Sequence, residues 1–486
     1  MTDEAGAGQR AGSVVAALGR AGSRALTTAL GGAERTRVIL VLAAVLALSS
    51  ADTATVGASA TELRHSLHIS NTDIGLLVTV TSLVAAVASL PFGVLADRVR
   101  RTSVLGGAIV LWGVAMIWSA TAPTFDRLLL SRVLLGAVTA AAGPFVASLV
   151  GDYFHSAERG RIYGYILAGE LAGAGVGFAL TGNLALLSWR AAFVVLALPA
   201  FALAWVVFRL PEPKRGGTEV LLPPGGLPDQ PATEAGGYAP TAAQVLARDR
   251  GLDPDPELVL HEDPRRLGVI EATRYILRIP TNVELIVASA FGYFFLAGVQ
   301  TFGVEFVTGQ YRIGHALGTL LLLVIGVGGI GGVLLGGQLG DFLLRRGYIN
   351  GRILTSAVTA ALAVILFVPA LITHSAVTAL PYITFATLFL SAQNPPLDAA
   401  RLDIMVPLLW GRAEGVRTVL RTLAQAFAPL LFGAVSDYVF GGGHSGLKWT
   451  FVVMLLPLAA SAYFLFRALR TYPRDVATAA ASRGSA

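Results

Sequence analysis

The sequence predicts an all-α membrane protein of twelve transmembrane helices, arranged as two pseudo-symmetric six-helix bundles. The first observation behind this is composition: 54% of the 486 residues are hydrophobic against 14% charged, with a mean hydropathy of +0.67. A soluble chain of this length could not bury so much apolar surface, so lipid must cover part of it. The second is the stretch Gly93-Val94-Leu95-Ala96-Asp97-Arg98-Val99-Arg100-Arg101, which closes one apolar run and starts another. It reads as a tight cationic hairpin between two spans. The third is repetition. A degraded copy of the hairpin recurs at Gly337-Gln338-Leu339-Gly340-Asp341-Phe342-Leu343-Leu344-Arg345-Arg346. A second pair, Ala157 to Arg161 and Ala413 to Arg417, precedes a small-residue-rich helix in each half. Two related halves in a membrane protein point to a transporter with its site where they meet.

Taken in order, residues 1–36 are rich in Gly, Ala and Ser and read as a tail, the apolar patch Val14 to Leu18 being too short for a signal-peptide core. The first bundle, 37–209, holds span one (Val38 to Ala58), span two leading into the hairpin, and span three (Thr102 to Ala122). Spans four (Asp126 to Val150), five (Ile162 to Leu187) and six (Arg190 to Phe208) complete it. Residues 210–281 form a linker. Its 210–263 part is rich in Pro, Gly and acids, too polar to bury a core and expected to stay mobile. Between Pro264 and Ile279, Leu267, Ile270 and Leu277 alternate with Arg265, Arg266, Arg274 and Arg278, the pattern of a helix lying at the membrane interface. The second bundle, 282–471, holds spans at 282–307, 316–343, 352–373, 377–400, 414–438 and 447–470, and 472–486 is a second tail.

An even number of spans puts both termini on one side. Arg98, Arg100, Arg101, Arg159, Arg161, Arg345, Arg346, Arg352, Arg401 and Arg412 fall on the hairpin side, against Arg64, Arg127, Arg190, Arg312 and Lys448 opposite. The arginine bias makes the tails and linker cytoplasmic and the protein a multi-pass resident of the cell's inner (plasma) membrane. Scattered at the ends of apolar runs, these cations account for the net charge of +6 without nucleic acid as a partner. Cysteine is absent, and histidines such as His65, His68, His155 and His444 lack paired metal spacing. The glycines of 326–340 lack the strand-to-helix setting of a phosphate loop. No cofactor, metal or enzymatic chemistry is expected, and the chain is expected to be a monomer.

Charges inside a bilayer are each worth about 2.5–3.5 kcal/mol against insertion, so each needs a partner or a task. Asp52 in span one and Arg132 in span four suit a proton-responsive ion pair, the alternative being a static structural pair. Glu170 beside the small residues of span five suits a proton carrier, or a packing partner of an arginine. On span eleven Arg417, Arg421 and Gln425 share one helix face. Arg417 is expected at head-group level and Arg421 a turn deeper, where its guanidinium suits an anionic head group; snorkelling or pairing with Asp398 is the alternative. Phe291, Tyr293, Phe294, Phe295, Gln300 and Phe302 on span seven fit either a long apolar substrate or ordinary packing. Gln393 and Asn394, ahead of Pro395 and Pro396, mark a break in span ten at a site or hinge. Gly93, Asp97, Arg101, Asp341, Arg161 and Arg417 are read as gating groups. The two aspartates are expected to face helix N-termini of the opposite half, spans eleven and five. The stripes Gly328, Gly332, Gly336, Gly340 and Gly169, Gly173, Gly177 imply close backbone packing, or faces that slide during a conformational cycle.

With these residues in view, the paired hairpins and the two six-span halves resemble the major facilitator superfamily over nearly the whole chain, departing from its hairpin signature at Arg100. Several short features are similar to the Spinster group. They are Ala51-Asp52-Thr53 with Thr55-Val56-Gly57, Arg132 with Gly136, Arg278-Ile279-Pro280, and Met405-Val406-Pro407 ahead of a span ending Gly433 to Asp437. That resemblance implies the major facilitator fold and proton-coupled alternating access. It also implies lysophospholipids or related amphipathic lipids as substrates, with membrane lipids around the chain. Thr139 stands where the group tends to carry an acid, so Glu170 replaces it or the coupling differs, and Thr139 is expected to line the substrate site. Two other readings stand beside this one: an efflux pump for lipophilic drugs, and a non-transporting receptor or scaffold that docks partners through the linker.

Overall fold

The computed structural model describes residue 30 and residues 32–69, 71–185, 188–215, 240–264, 266–313, 315–441 and 443–482. Ten stretches have the length and hydropathy to cross a bilayer, and the long helices Ala33–Ala58 and Arg159–Ala185 complete the twelve. In the first half, spans one to three are Ala33–Ala58, Asn71–Arg98 and Arg101–Ala120. Span four is split into Phe125–Thr139 and Ala142–Tyr153, and spans five and six are Arg159–Ala185 and Trp189–Phe208. In the second half, spans seven to nine are Pro280–Tyr311, His315–Arg345 and Gly351–Ile372. Span ten is split into Ala376–Ala392 and Asn394–Asp403, span eleven is Trp410–Ala434 with a wide turn Val435–Val439, and span twelve is Gly443–Val453 with Leu455–Ala481.

The two split helices occupy matching places, and proline explains both. Pro144 would push its ring into the carbonyl of Ala140, and Pro395 and Pro396 into those of Ser391 and Ala392, so each helix restarts just before its proline. The break at Gln393 was expected; the one in span four was not. Ser356 Oγ donates to the Gln393 carbonyl at 2.8 Å, which satisfies a group that the break would otherwise orphan in lipid.

Both glycine stripes pack inside a half. Gly169, Gly173 and Gly177 face Ala43, Ala47 and Ala51 of span one, while Gly328, Gly332 and Gly336 face the backbone of span ten at Thr384, Leu388 and Ala392. They are packing seams within a half. The second half is filled by an aromatic cluster in which Phe432 meets Phe295, Phe302 and Phe451.

Three segments differ from the sequence reading. Residues 240–263 are folded against both halves. Thr241 and Gln244 form a reciprocal capping box that starts the helix Ala242–Asp249, and Ala243 and Ala247 are buried. The interfacial helix is shorter than Pro264–Ile279 and runs Val269–Ile276, with Glu271 accepting from the Gly268 amide at 2.9 Å. In the expected tail, span twelve continues to Ala481 and buries Tyr472, Val476 and Ala480, while Asp475 accepts from the Thr281 amide at 2.8 Å. The rest of the expected first tail, 1–29 and 31, and linker residues 216–239 lie outside the described residues.

Candidate functional site

The halves meet most closely at the arginine-rich end, along spans two and eleven and along spans five and eight. At the end of span two, Asp97 accepts from the Gly411 and Arg412 amides at 2.9 and 3.0 Å and from Arg412 Nε at 3.1 Å. These amides are unpaired donors at the N-terminus of span eleven, where the helix dipole also favours an anion. The approach depends on glycine, because a Cβ on Gly93 would lie 2.7 Å from the Gly411 carbonyl oxygen. The second seam repeats the design. Asp341 accepts from the Gly160 and Arg161 amides at 3.2 and 2.7 Å, and Gly337 lies against the Gly160 carbonyl. Its guanidinium partner differs in origin. Arg352 of the same half holds Asp341 at 2.7 Å and Asp403 at 2.6 Å, whereas Arg412 reaches Asp97 from the other half.

Three of the six expected gating groups have other surroundings. Arg101 is wholly buried within the first half, bound to Asp152 and Ser148 and, at 2.8 Å, to Glu212 of the linker. Burial works to raise the Glu212 carboxyl, but hydrogen bonds from the Thr102 amide and from Arg101 outweigh it and hold the group below the usual carboxylate range. Arg161 contributes its backbone amide to the Asp341 seam, while its side chain pairs with Glu158 at 2.9 Å. Arg417 is buried against Asp398, its alternative partner in the sequence reading, and against Glu414, both of which Arg401 also binds. Two carboxylates in one small space make both arginines pair inward. The sequence reading gave Arg352 and Arg412 only a topological role, and it gave none to Asp403, Arg35 or Glu158, the last two paired at 2.7 Å. The signal it passed over is the acid that ends each split helix, Asp152 and Asp403, which demands a buried cation.

Deeper in the membrane, Arg132 Nη1 donates to Asp52 at 3.0 Å, both side chains being buried. Phe193 covers the guanidinium at 4.7 Å, and among the described residues Arg132 Nε and Nη2 have no hydrogen-bond partner. Glu170 accepts from Ser50 Oγ at 3.2 Å and lies within the field of Arg421 from the other half. Arg421 sits 4.6 Å over the Tyr293 ring, with Nε unpartnered among the described residues. The structure thus groups Glu170, Tyr293 and Arg421 across the two halves.

The other expected substrate residues are dispersed. Thr139, at the break in span four, donates to the Leu135 carbonyl at 2.7 Å and lines a recess of about 30 Å³ with Val45, Ser49 and Trp112. That is room for about one water. Gln393 is buried with its Nε2 beside Gly292 and its Oε1 without a partner among the described residues, while Asn394 and Gln425 are half-buried. Gln300 is exposed, and Phe294 packs on Phe432 at 5.9 Å as part of the aromatic cluster.

Two six-helix halves that close on one another at one end, with charged groups buried between the spans, define a two-bundle, multi-pass membrane fold. The chain belongs to the Major Facilitator Superfamily, whose sequence profile matches residues 40–405. Among relatives, it is 28% identical over 171 residues to the probable L-galactonate transporter of Escherichia coli K12, covering 35% of this chain and 38% of that protein. It is 29% identical over 163 residues to human protein spinster homolog 3, covering 32% of each. The matched stretch therefore spans about a third of the length of these relatives. Among solved structures, a bacterial homolog of the human lysosomal transporter Spinster, inward-facing and unoccupied, aligns with a TM-score of 0.57 at 20% identity, over 91% of this chain and 98% of that one.

Proposed function

We propose that this protein is a secondary active transporter that works by alternating access, is coupled to protons, and moves lysophospholipids or similar amphipathic lipids across the cell's inner membrane. The observation that carries the reading is the buried pair Asp52–Arg132 with two guanidinium nitrogens left unpartnered among the described residues. A proton on Asp52 removes the carboxylate that, among the described residues, alone binds Arg132, and frees a buried cation to seek another anion, which couples protonation to a rearrangement of the first half. In the other half, Arg421 stacked on Tyr293 offers an unpaired N–H to an anionic head group, and the apolar spans around it suit an acyl chain. The likeness to Spinster proteins supports a substrate of that kind. With the arginine-rich end cytoplasmic, both termini lie inside the cell, and the closed seams at Asp97 and Asp341 are an inner gate that is shut.

The test is flux of a labelled lysophospholipid into proteoliposomes under an imposed pH gradient, comparing the native chain with Asp52→Asn. Gradient-driven flux that the substitution abolishes is the expected result. Flux indifferent to both gradient and substitution would make the protein a uniporter, and folded protein without lipid flux would remove the lipid substrate.

A further inference from the structure

Beyond the transport path, the helix Val269–Ile276 presents two faces of opposite character. Ala272 and Ile276 are fully buried against the bundle, while Ile270, Val269 and Leu277 are 75%, 47% and 41% exposed. Arg274 lies four residues from Ile270 on the same exposed face, and Arg266 and Arg278, in the turns before and after the helix, are exposed as well. None of the three has a side-chain partner among the described residues, and the acid on the helix, Glu271, accepts from the Gly268 amide. Span seven begins at Pro280, one residue past Ile279, so this face sits where the chain crosses the boundary between head groups and water. Apolar side chains flanked by unpaired guanidinium groups at that depth fit an anionic leaflet and no soluble partner of mixed charge.

The turn ahead of this helix also reaches the gate. Arg412, which closes the Asp97 seam, donates Nη1 to the Leu267 carbonyl and Nη2 to the Pro264 carbonyl, both at 3.3 Å, and Arg98 donates to the Leu267 carbonyl at 3.4 Å. We propose that Val269–Ile276 docks on anionic phospholipid head groups, and that docking fixes Pro264 and Leu267, whose carbonyls hold Arg412 in the gate. Anionic lipid therefore favours the state in which this end is shut. Three cations at a charged surface favour the docked helix about 100-fold over a neutral one.

Because the chain has no cysteine, Ile270→Cys gives a single nitroxide site. Its oxygen accessibility is measured in vesicles of phosphatidylcholine with and without phosphatidylglycerol. A label pair at Arg100→Cys and Tyr348→Cys, exposed on opposite halves, reports the gate in the same vesicles. The expected result is a label that enters the acyl region only with phosphatidylglycerol, together with a larger closed-gate population. Both responses disappear in Arg266→Gln/Arg274→Gln/Arg278→Gln. Burial of the label in both lipids, or in the triple variant, would mean apolar insertion without head-group recognition and would overturn the proposal. A label that stays in water would overturn it as well, and docking without a change in the gate would overturn the link to Arg412. Val269→Cys repeats the reading if labelling at Ile270 perturbs the helix.

Discussion

Substituting Gly93 by alanine tests whether the seam between spans two and eleven closes by backbone approach. The new methyl would stand 2.7 Å from the Gly411 carbonyl oxygen and 3.2 Å from Arg412 Cα. An ordinary contact of carbon with carbonyl oxygen is about 3.3 Å or longer, so the helices must part by roughly 0.6 Å. Both obstructing atoms are backbone, so no rotamer change relieves them. Spread over the seam, that movement carries the Asp97 bonds at 2.9, 3.0 and 3.1 Å to the edge of hydrogen-bonding distance. Overpacking of this kind costs about 1–3 kcal/mol, which lowers the ratio of closed to open gate by about 5- to 150-fold. The cysteine-free background allows spin labels at Arg100→Cys and Tyr348→Cys, and double electron–electron resonance reads the two populations directly. Gly331→Ala serves as the control, since nothing lies within 4 Å of its added methyl. If Gly93→Ala gives the same distance distribution as the native chain and the control, the seam is not closed by this contact.

Asp97→Asn keeps one acceptor oxygen, enough for the Gly411 or the Arg412 amide but not both, and leaves the Arg412 guanidinium without its anion, a loss of at least about 1.5–3 kcal/mol that should open the gate in the same label pair. Phe432→Ala empties the centre of the aromatic cluster and should destabilise the second half by about 3–5 kcal/mol, read as a lower midpoint in thermal unfolding in detergent. The Glu212 carboxyl lies below its unfolded value near 4.3, so the tie from linker to Arg101 is fully present above that pH and is lost as pH falls through the lower folded value. A fluorophore at Lys214→Cys should remain immobile at pH 5 and gain mobility only in stronger acid, whereas Glu212→Gln should free it at pH 7. Removing the capping box with Thr241→Ala should weaken the linker helix by about 1 kcal/mol and speed proteolysis within 240–263.

Much of the fold was legible because it rests on local signals. Apolar runs mark spans wherever they fall, and the hairpins at Gly93 and Gly337 carry their meaning in about nine consecutive residues. The aspartates in them could be aimed at helix N-termini because a carboxylate at membrane depth needs donors and the opposite half supplies them. Partners chosen by distant loops were not legible. Arg352 lies eleven residues past Asp341, while Arg101 lies four past Asp97, so the copies do not align and the different use of the two arginines is hidden. Arg417 could be aimed at lipid or at Asp398 from its helix face alone, and the sequence does not say which wins, because the burial that decides it is set by the packing of span ten on span eleven. The linker misled through composition. Averaged over 210–263 it looks unable to fold, yet Thr241 and Gln244 spell a helix start that the average conceals. Phe294 and Tyr293 are neighbours in sequence, and the pattern of aromatic residues does not say which turns to the cluster and which to Arg421.

The two closed seams are not equivalent in what they leave behind when they part. If spans five and eight separate, Asp341 keeps Arg352, which also holds Asp403, at its side, and its charge is not left bare. If spans two and eleven separate, Asp97 and Arg412 go to different halves as bare opposite charges, with Arg215 of the linker, bound to the Ala96 and Val99 carbonyls, as the nearby cation. One edge of the cleft is therefore indifferent to dissolved ions, while the other is eased apart by any salt that screens the nascent charges. The opening is lopsided, like a book that falls open from one corner, and ionic strength acts on that second corner alone.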